Sequence, residues 1–349
     1  MKRVLVVDDS ALVRKILGEE ISKFSDFSVV GSAIDPYDAR EKIFELRPDI
    51  LTLDLEMPRM DGLYFLAKLM KHHPLPVVVV SSQAPEGSES AMSALELGAV
   101  EIVPKPGSQF TVPDVGQKLI HALRAAAAVP AEKLKISRLI AARDKSKSSK
   151  IPKLLITTHK LIAMGASTGG TRAIESVMSR MPVDAPGTAI VQHMPASFTG
   201  AFAKRLDKVS PMQVREAKDL DDITPGVALV APGDKHMVLS KNGARYQVRI
   251  KNGPRVHFQR PSVDVLFRSV AINSGENAVG VLLTGMGSDG AKGMLEMHNN
   301  GAHTIVQDED SCIVFGMPKE AINLGGVSEI LPLDRITEAI LKRFQASGK

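Results

Sequence analysis

Short apolar runs alternate with amphipathic stretches along residues 1–122. Val4–Val7, Phe27–Ala33, Asp49–Leu53, Val77–Val80 and Val100–Val103 have the length and β-branched content of buried strands. Leu12–Phe24 and Pro36–Leu46 carry helical spacing, with Asp35 as an N-cap and Pro36 at the first helical position. Five strands alternating with helices predict a doubly wound parallel α/β sheet. Residues 123–158 break the rhythm. Ala125–Ala128 leads into a Lys/Arg/Ser-rich stretch that reads as an interdomain linker, with helical character over Ala131–Arg143. A second alternating series starts in residues 159–349. Leu161–Met164, Thr188–Val191, Ala278–Leu283 and Thr304–Gln307 read as strands of a doubly wound, mostly parallel α/β domain. Within it, Val227–Ala231, Met237–Leu239 and Tyr246–Ile250, with turns at Pro232-Gly233 and Asn242-Gly243, predict an antiparallel hairpin insertion.

The 349 residues are enough for two domains, and 44% hydrophobic content lets each build a core. No apolar run reaches membrane-spanning length, and the N-terminal apolar stretch runs straight into Asp8-Asp9. A single cysteine, Cys312, excludes an internal disulfide framework. These features predict a cytoplasmic protein without membrane insertion. The net charge of +5 suggests nucleic acid until it is mapped. Residues 1–120 hold 13 Lys and Arg against 18 Asp and Glu, residues 121–160 hold 10 against 2, and residues 161–349 hold 21 against 19. The basicity is a tether's, so no nucleic-acid partner is expected.

The first chemistry lies at strand ends. Asp8 and Asp9 follow strand one, Asp54 strand three, Ser81 strand four and Lys105 strand five, and open α/β sheets bind ligands at that edge. Packed carboxylates call for a cation, and oxygen-only ligands favour Mg²⁺. A carboxylate such as Asp54 can attack phosphorus, and Lys105 and Ser81 can hold the new phosphoryl oxygens. This pattern, with Leu53-Asp-Leu-Glu-Met-Pro-Arg-Met-Asp-Gly62 and Lys105-Pro106, resembles the receiver domain of response regulators, a flavodoxin-like five-stranded fold. The resemblance covers residues 1–122. It implies that Asp54 is the phosphoacceptor and that Asp9 and Asp54 hold the metal. Asp8 assists, and the backbone carbonyl of Glu56 is a further ligand.

The second chemistry starts at Gly165-Ala-Ser167-Thr-Gly169-Gly170, a G-x-S-x-G turn after a strand. Three readings compete: a nucleophile elbow, a phosphate cradle, and a plain tight turn. The cradle lacks G-x-G-x-x-G spacing and a P-loop lysine. His193 follows the next strand and is a possible base. Asp289, in Gly285-Met-Gly-Ser-Asp-Gly290 after a third strand, is a possible orienter. His159, His236, His257 and His303 compete as bases. Cys312 is a rival nucleophile, although its apolar neighbours favour a buried, inert thiol.

Across both halves the chain resembles the bacterial chemotaxis protein-glutamate methylesterases, the CheB family. The match runs through Gly165–Gly170, Gln192-His-Met-Pro195, Ala231–His236, Arg260-Pro-Ser-Val-Asp264, Thr284–Gly287 and Phe315-Gly-Met-Pro318. The resemblance implies a carboxylic ester hydrolase that demethylates γ-glutamyl methyl esters of chemotaxis receptors and deamidates particular glutamines. Ser167 is the nucleophile, His193 the base and Asp289 its orienter, with no cofactor in the esterase site. The amides of Thr168 and Met286 are the oxyanion candidates. The partners implied are a histidine kinase as phosphodonor and the receptors as substrate, with the chain itself monomeric. The unphosphorylated receiver restricts the hydrolase, and phosphorylation relieves it.

Overall fold

The structure is a computed structural model that describes residues 1–82, 85–105, 112–130, 133–134, 159–243 and 245–346. The chain divides near residue 146 into two compact units.

The first unit runs β1 (Lys2–Val7), α1 (Ala11–Ser22), β2 (Phe27–Ala33), α2 (Pro36–Leu46), β3 (Ile50–Asp54), α3 (Gly62–His72), β4 (Val77–Ser81), α4 (Pro85–Leu97), β5 (Glu101–Pro104) and α5 (Val112–Ala127). The strands form one parallel sheet in the order β2-β1-β3-β4-β5, the flavodoxin-like arrangement. Every residue of β3 and β4 is buried, as expected for parallel strands covered by helices on both faces. Asp35 caps α2 as expected, accepting from the amides of Tyr37 and Asp38 at 2.9 Å each. Helix α5 continues to Ala127, so the regular structure of this unit extends past residue 122. Its apolar face, with Leu119, Ile120, Leu123 and Ala126 buried, runs across that boundary. Most of the expected linker, and most of the helical stretch Ala131–Arg143, lie outside the described residues.

The second unit runs β6 (Leu161–Ala166), α6 (Gly170–Met178), β7 (Gly187–Gln192), α7 (Ala196–Val209), β8 (Gln213–Glu216), β9 (Asp222–Ile223), β10 (Val227–Val230), β11 (His236–Asn242), β12 (Arg245–Lys251), α8 (Val263–Ser274), β13 (Ala278–Leu282), α9 (Ala291–Asn299), β14 (His303–Gln307), α10 (Met317–Asn323), β15 (Glu329–Leu331) and α11 (Leu333–Ala346). Seven strands form a parallel sheet in the order β15-β14-β13-β6-β7-β10-β8. β11 and β12 pair as the expected antiparallel hairpin turning at Asn242-Gly243, and β9 adds a third strand. Val227–Ala231 departs from expectation. It belongs to the parallel sheet as β10, between β7 and β8, and not to the insertion. A short apolar run beside turn residues has the same signature in either setting, and only its pairing partners tell them apart. No helix among the described residues is long and apolar enough to cross a membrane.

Candidate functional site

In the first unit the five expected residues converge at the carboxyl ends of β1, β3, β4 and β5. Lys105 Nζ lies 2.7 Å from Asp54 Oδ2 and 3.3 Å from Asp8 Oδ2. Asp8, Asp54 and Ser81 are buried, whereas Asp9 is exposed. The Glu56 amide donates to Asp54 Oδ1 at 3.1 Å, fixing the turn after β3. The Lys105 amide donates to the Ser81 carbonyl at 2.9 Å, which joins the ends of β4 and β5.

Burial pushes the Asp54 carboxyl up to about 6 even though Lys105 pulls it down, and Asp8 is raised for the same reason. One ammonium therefore leaves the cup short of positive charge. Ligand oxygens of Asp8, Asp9 and Asp54 lie within 4.8 Å of one another. An all-oxygen acidic cup that lacks positive charge fits a hard divalent cation.

In the second unit, β6 and β7 are adjacent, with Ala166 opposite Gln192, so Ser167 and His193 emerge side by side. The His193 amide donates to the Ala166 carbonyl at 3.1 Å. β13 flanks β6 on its other side and delivers the loop that bears Asp289. Ser167 occupies a strand-turn-helix corner. Its amide donates to the Thr284 carbonyl (3.0 Å), and its carbonyl accepts from Gly170 N (2.7 Å) and Gln192 Nε2 (2.9 Å). Gly169 takes φ 77°, a left-handed turn natural to glycine, just before α6. At Gly285 a side chain has no room, because a Cβ there would sit 2.7 Å from Ser167 Cβ.

His193 Nε2 meets Asp289 Oδ2 at 2.7 Å, both side chains being buried. His193 Nδ1 is buried with no hydrogen-bond partner. Asp289 takes three further donors. Ser262 Oγ (2.8 Å) and the Asp264 amide (3.0 Å) bind Oδ1, and the Val263 amide (2.8 Å) shares Oδ2 with His193. These come from the N-terminus of α8, which favours negative charge. Burial alone would raise the Asp289 carboxyl. The bond and charge of His193, the Asp264 amide and the Ser262 hydroxyl outweigh it and hold the group below its usual value.

The Ser167 amide is committed to the Thr284 carbonyl, which ties the turn after β6 to the loop after β13. Gly285 anchors the second loop, its carbonyl accepting from Gly316 (3.1 Å) and Met317 (2.8 Å). The rival histidines are engaged with other partners, although His257 and His236 both lie against the segment that holds Asp289. His303 pairs with Glu329 (2.6 Å), His159 is exposed, and His257 bonds to Asp264 (3.0 Å). Buried His236 bridges the Pro254 carbonyl (2.9 Å) and the Ser262 amide (3.3 Å). Cys312 is fully buried, its Sγ 3.8 Å from the Gln307 carbonyl.

A sequence profile described as CheB methylesterase matches residues 162–340, and one described as response regulator receiver domain matches residues 4–113. A protein-glutamate methylesterase/protein-glutamine glutaminase of Syntrophus aciditrophicus is 54% identical over 340 residues, spanning 97% of this chain and 98% of that protein. A Salmonella typhimurium protein of the same name is 50% identical over 346 residues, spanning 99% and 97%. The chain belongs to the CheB methylesterase family. The crystal structure of the Thermotoga maritima CheB methylesterase catalytic domain agrees in fold. It aligns with a TM-score of 0.52 at 34% identity, covering 53% of this chain and 99% of that one. The chain is thus a response-regulator methylesterase, a receiver joined to a carboxylic ester hydrolase.

Within this CheB chain, sequence reasoning missed the clamp on Asp289. Ser262 just ahead of an apolar helical run is a legible N-cap signal. Its second partner, 27 residues away, is not legible.

Proposed function

We propose that Ser167, His193 and Asp289 form the catalytic triad, and that the chain demethylates γ-glutamyl methyl esters of chemotaxis receptors. The observation that carries this is the buried His193–Asp289 bond at 2.7 Å, which occupies Nε2 and leaves Nδ1 without a partner on a ring whose strand neighbours that of Ser167. Ser167 Oγ attacks the ester carbonyl as His193 Nδ1 takes its proton. The charge appearing on His193 is balanced by Asp289, which four donors hold in place. The amides of Thr168 and Met286 receive the developing oxyanion. His193 returns the proton to the departing methoxide, and methanol leaves. Water then repeats the sequence on the acyl-enzyme and releases receptor glutamate. A glutamine side chain follows the same course with ammonia leaving. No residue in this scheme needs a cofactor.

In the receiver, Asp54 attacks the phosphoryl group of a phosphorylated histidine kinase. Asp8, Asp9, Asp54 and the carbonyl of Glu56 would hold Mg²⁺, which would supply positive charge to the carboxylates and the phosphoryl oxygens. Ser81 and Lys105 take the phosphoryl oxygens. The receiver occupies residues 1–122 with α5 continuing beyond. Residues up to 158 tether it to the hydrolase of residues 159–349, in a monomeric, cytoplasmic protein. The decisive assay is methanol release from methylated receptor membranes. Wild type releases it, and Ser167→Ala loses roughly three or more orders of magnitude. Undiminished release by the variant refutes the nucleophile.

A further inference from the structure

The segment Val256-His257-Phe258-Gln259 is a two-residue reverse turn closed by reciprocal bonds, Val256 N to Gln259 O (3.0 Å) and Gln259 N to Val256 O (2.8 Å). Both central residues adopt positive φ, 50° at His257 and 63° at Phe258. Such turns ordinarily use Asn-Gly, because a side chain at positive φ crowds its own backbone. Two consecutive bulky residues there disfavour the turn. The His257 side chain offsets this. Its Nε2 contacts Asp264 Oδ2 at 3.0 Å, and its Nδ1 lies 3.4 Å from Ser288 Oγ. Asp264 is itself fixed, since its other oxygen accepts from the Gly293 amide at 2.7 Å.

Phe258 gains nothing comparable. It is 85% exposed, more than any other described large hydrophobic residue. A strained turn that holds an aromatic ring in water opposes folding, and strained backbone of this kind clusters at active sites and ligand clamps. The location says which partner. Ser288 immediately precedes Asp289, and Asp264, which holds His257, also donates its amide to Asp289. The turn hangs from the same two anchors as the triad. Ser167 is only 2% exposed, so an ester must reach inward while the polypeptide that bears it stays outside.

We propose that Phe258, held out by the His257 latch, is a specificity-determining contact for the polypeptide flanking the methyl-esterified glutamate. This rests on Ser167 as the nucleophile, and a blocked glutamate γ-methyl ester separates the two ideas. That small substrate reports on the triad alone, whereas a methylated receptor reports on triad and turn together. With full-length protein, Phe258→Ala raises KM for the receptor roughly tenfold or more. Its kcat stays within about twofold, and its small-ester kcat/KM stays near wild type, because truncating a contact to flanking residues removes binding without touching the reacting atoms. Phe258→Tyr retains most of the receptor activity. Phe258→Gly, which relieves the positive φ, melts at a higher temperature yet shows the same receptor defect. His257→Ala gives a smaller KM effect of the same sign. Unchanged receptor kinetics in Phe258→Ala overturn the proposal. Equal losses on receptor and small ester overturn it too, since the turn would then be supporting the triad rather than selecting the substrate.

Discussion

Asp54→Asn removes the charge from the acidic cup while keeping its shape, and its effect on stability follows from electrostatics. The Asp54 carboxyl rises from 3.8 to about 6 on folding, with burial the main cause. Below pH 3.8 the group is neutral in both folded and unfolded chains and costs nothing. As pH rises towards 6 the unfolded chain ionises first, so the folded state binds the extra proton and loses stability until its own carboxyl ionises. Above about pH 7 the loss is complete, at about 3 kcal/mol for a shift of this size. The asparagine variant lacks this term, and Lys105 keeps Asp8 as a partner. In divalent-free buffer at pH 7.5, the variant's receiver is therefore more stable by about 3 kcal/mol. Hydrogen exchange of β1 and β3 amides through global opening slows by roughly 150-fold. The gap closes as pH falls from 6 to 4, after correction for intrinsic exchange rates. Mg²⁺ narrows it at pH 7.5, because a cation supplies the missing positive charge to the wild type and much less to the variant. Equal protection of the two proteins at pH 7.5, or a gap that persists below pH 4, would refute the reasoning.

Three further outcomes are expected. Ser262→Ala takes one donor from Asp289 and lowers kcat by roughly tenfold, the worth of a buried hydrogen bond to a charged group. The Asp289 carboxyl, now less stabilised as an anion, is held less far below its usual value. Gly285→Ala forces a methyl against Ser167 Cβ and costs about 1–3 kcal/mol in a melting assay. Its esterase activity falls even at temperatures where it stays folded. An acyl-phosphate donor raises the esterase rate of the full chain but not of Asp54→Asn or of residues 159–349 alone; equal responses in all three would remove the regulatory link.

The strands of the first unit were legible almost residue by residue, since each is a short apolar run and four of the five lead into a chemically informative residue. Asp54 and Ser81 turned out to be the last residues of β3 and β4, one position inside the expected loops. The meeting of His193 with Asp289, and the adjacency of the strands that carry Ser167 and His193, were legible because all three residues follow strands of one parallel sheet. β8 and β15 were not legible, being edge strands of four and three residues with mixed polarity. The clamp from Ser262, Val263 and Asp264 was equally hidden. It depends on where the end of α8 lands against the loop after β13, and no local pattern encodes that.

The hydrogen bonds described around Ser167, His193 and Asp289 all come from residues 165–317. The described support of these three residues is in that sense a portable cartridge, supplied by the hydrolase unit's own loops. The receiver can diverge in sequence or be exchanged for another sensor without rebuilding the catalytic groups. Inheritance of the reaction and inheritance of its control are thereby separable, and a lineage can retune when the enzyme works while leaving how it works untouched.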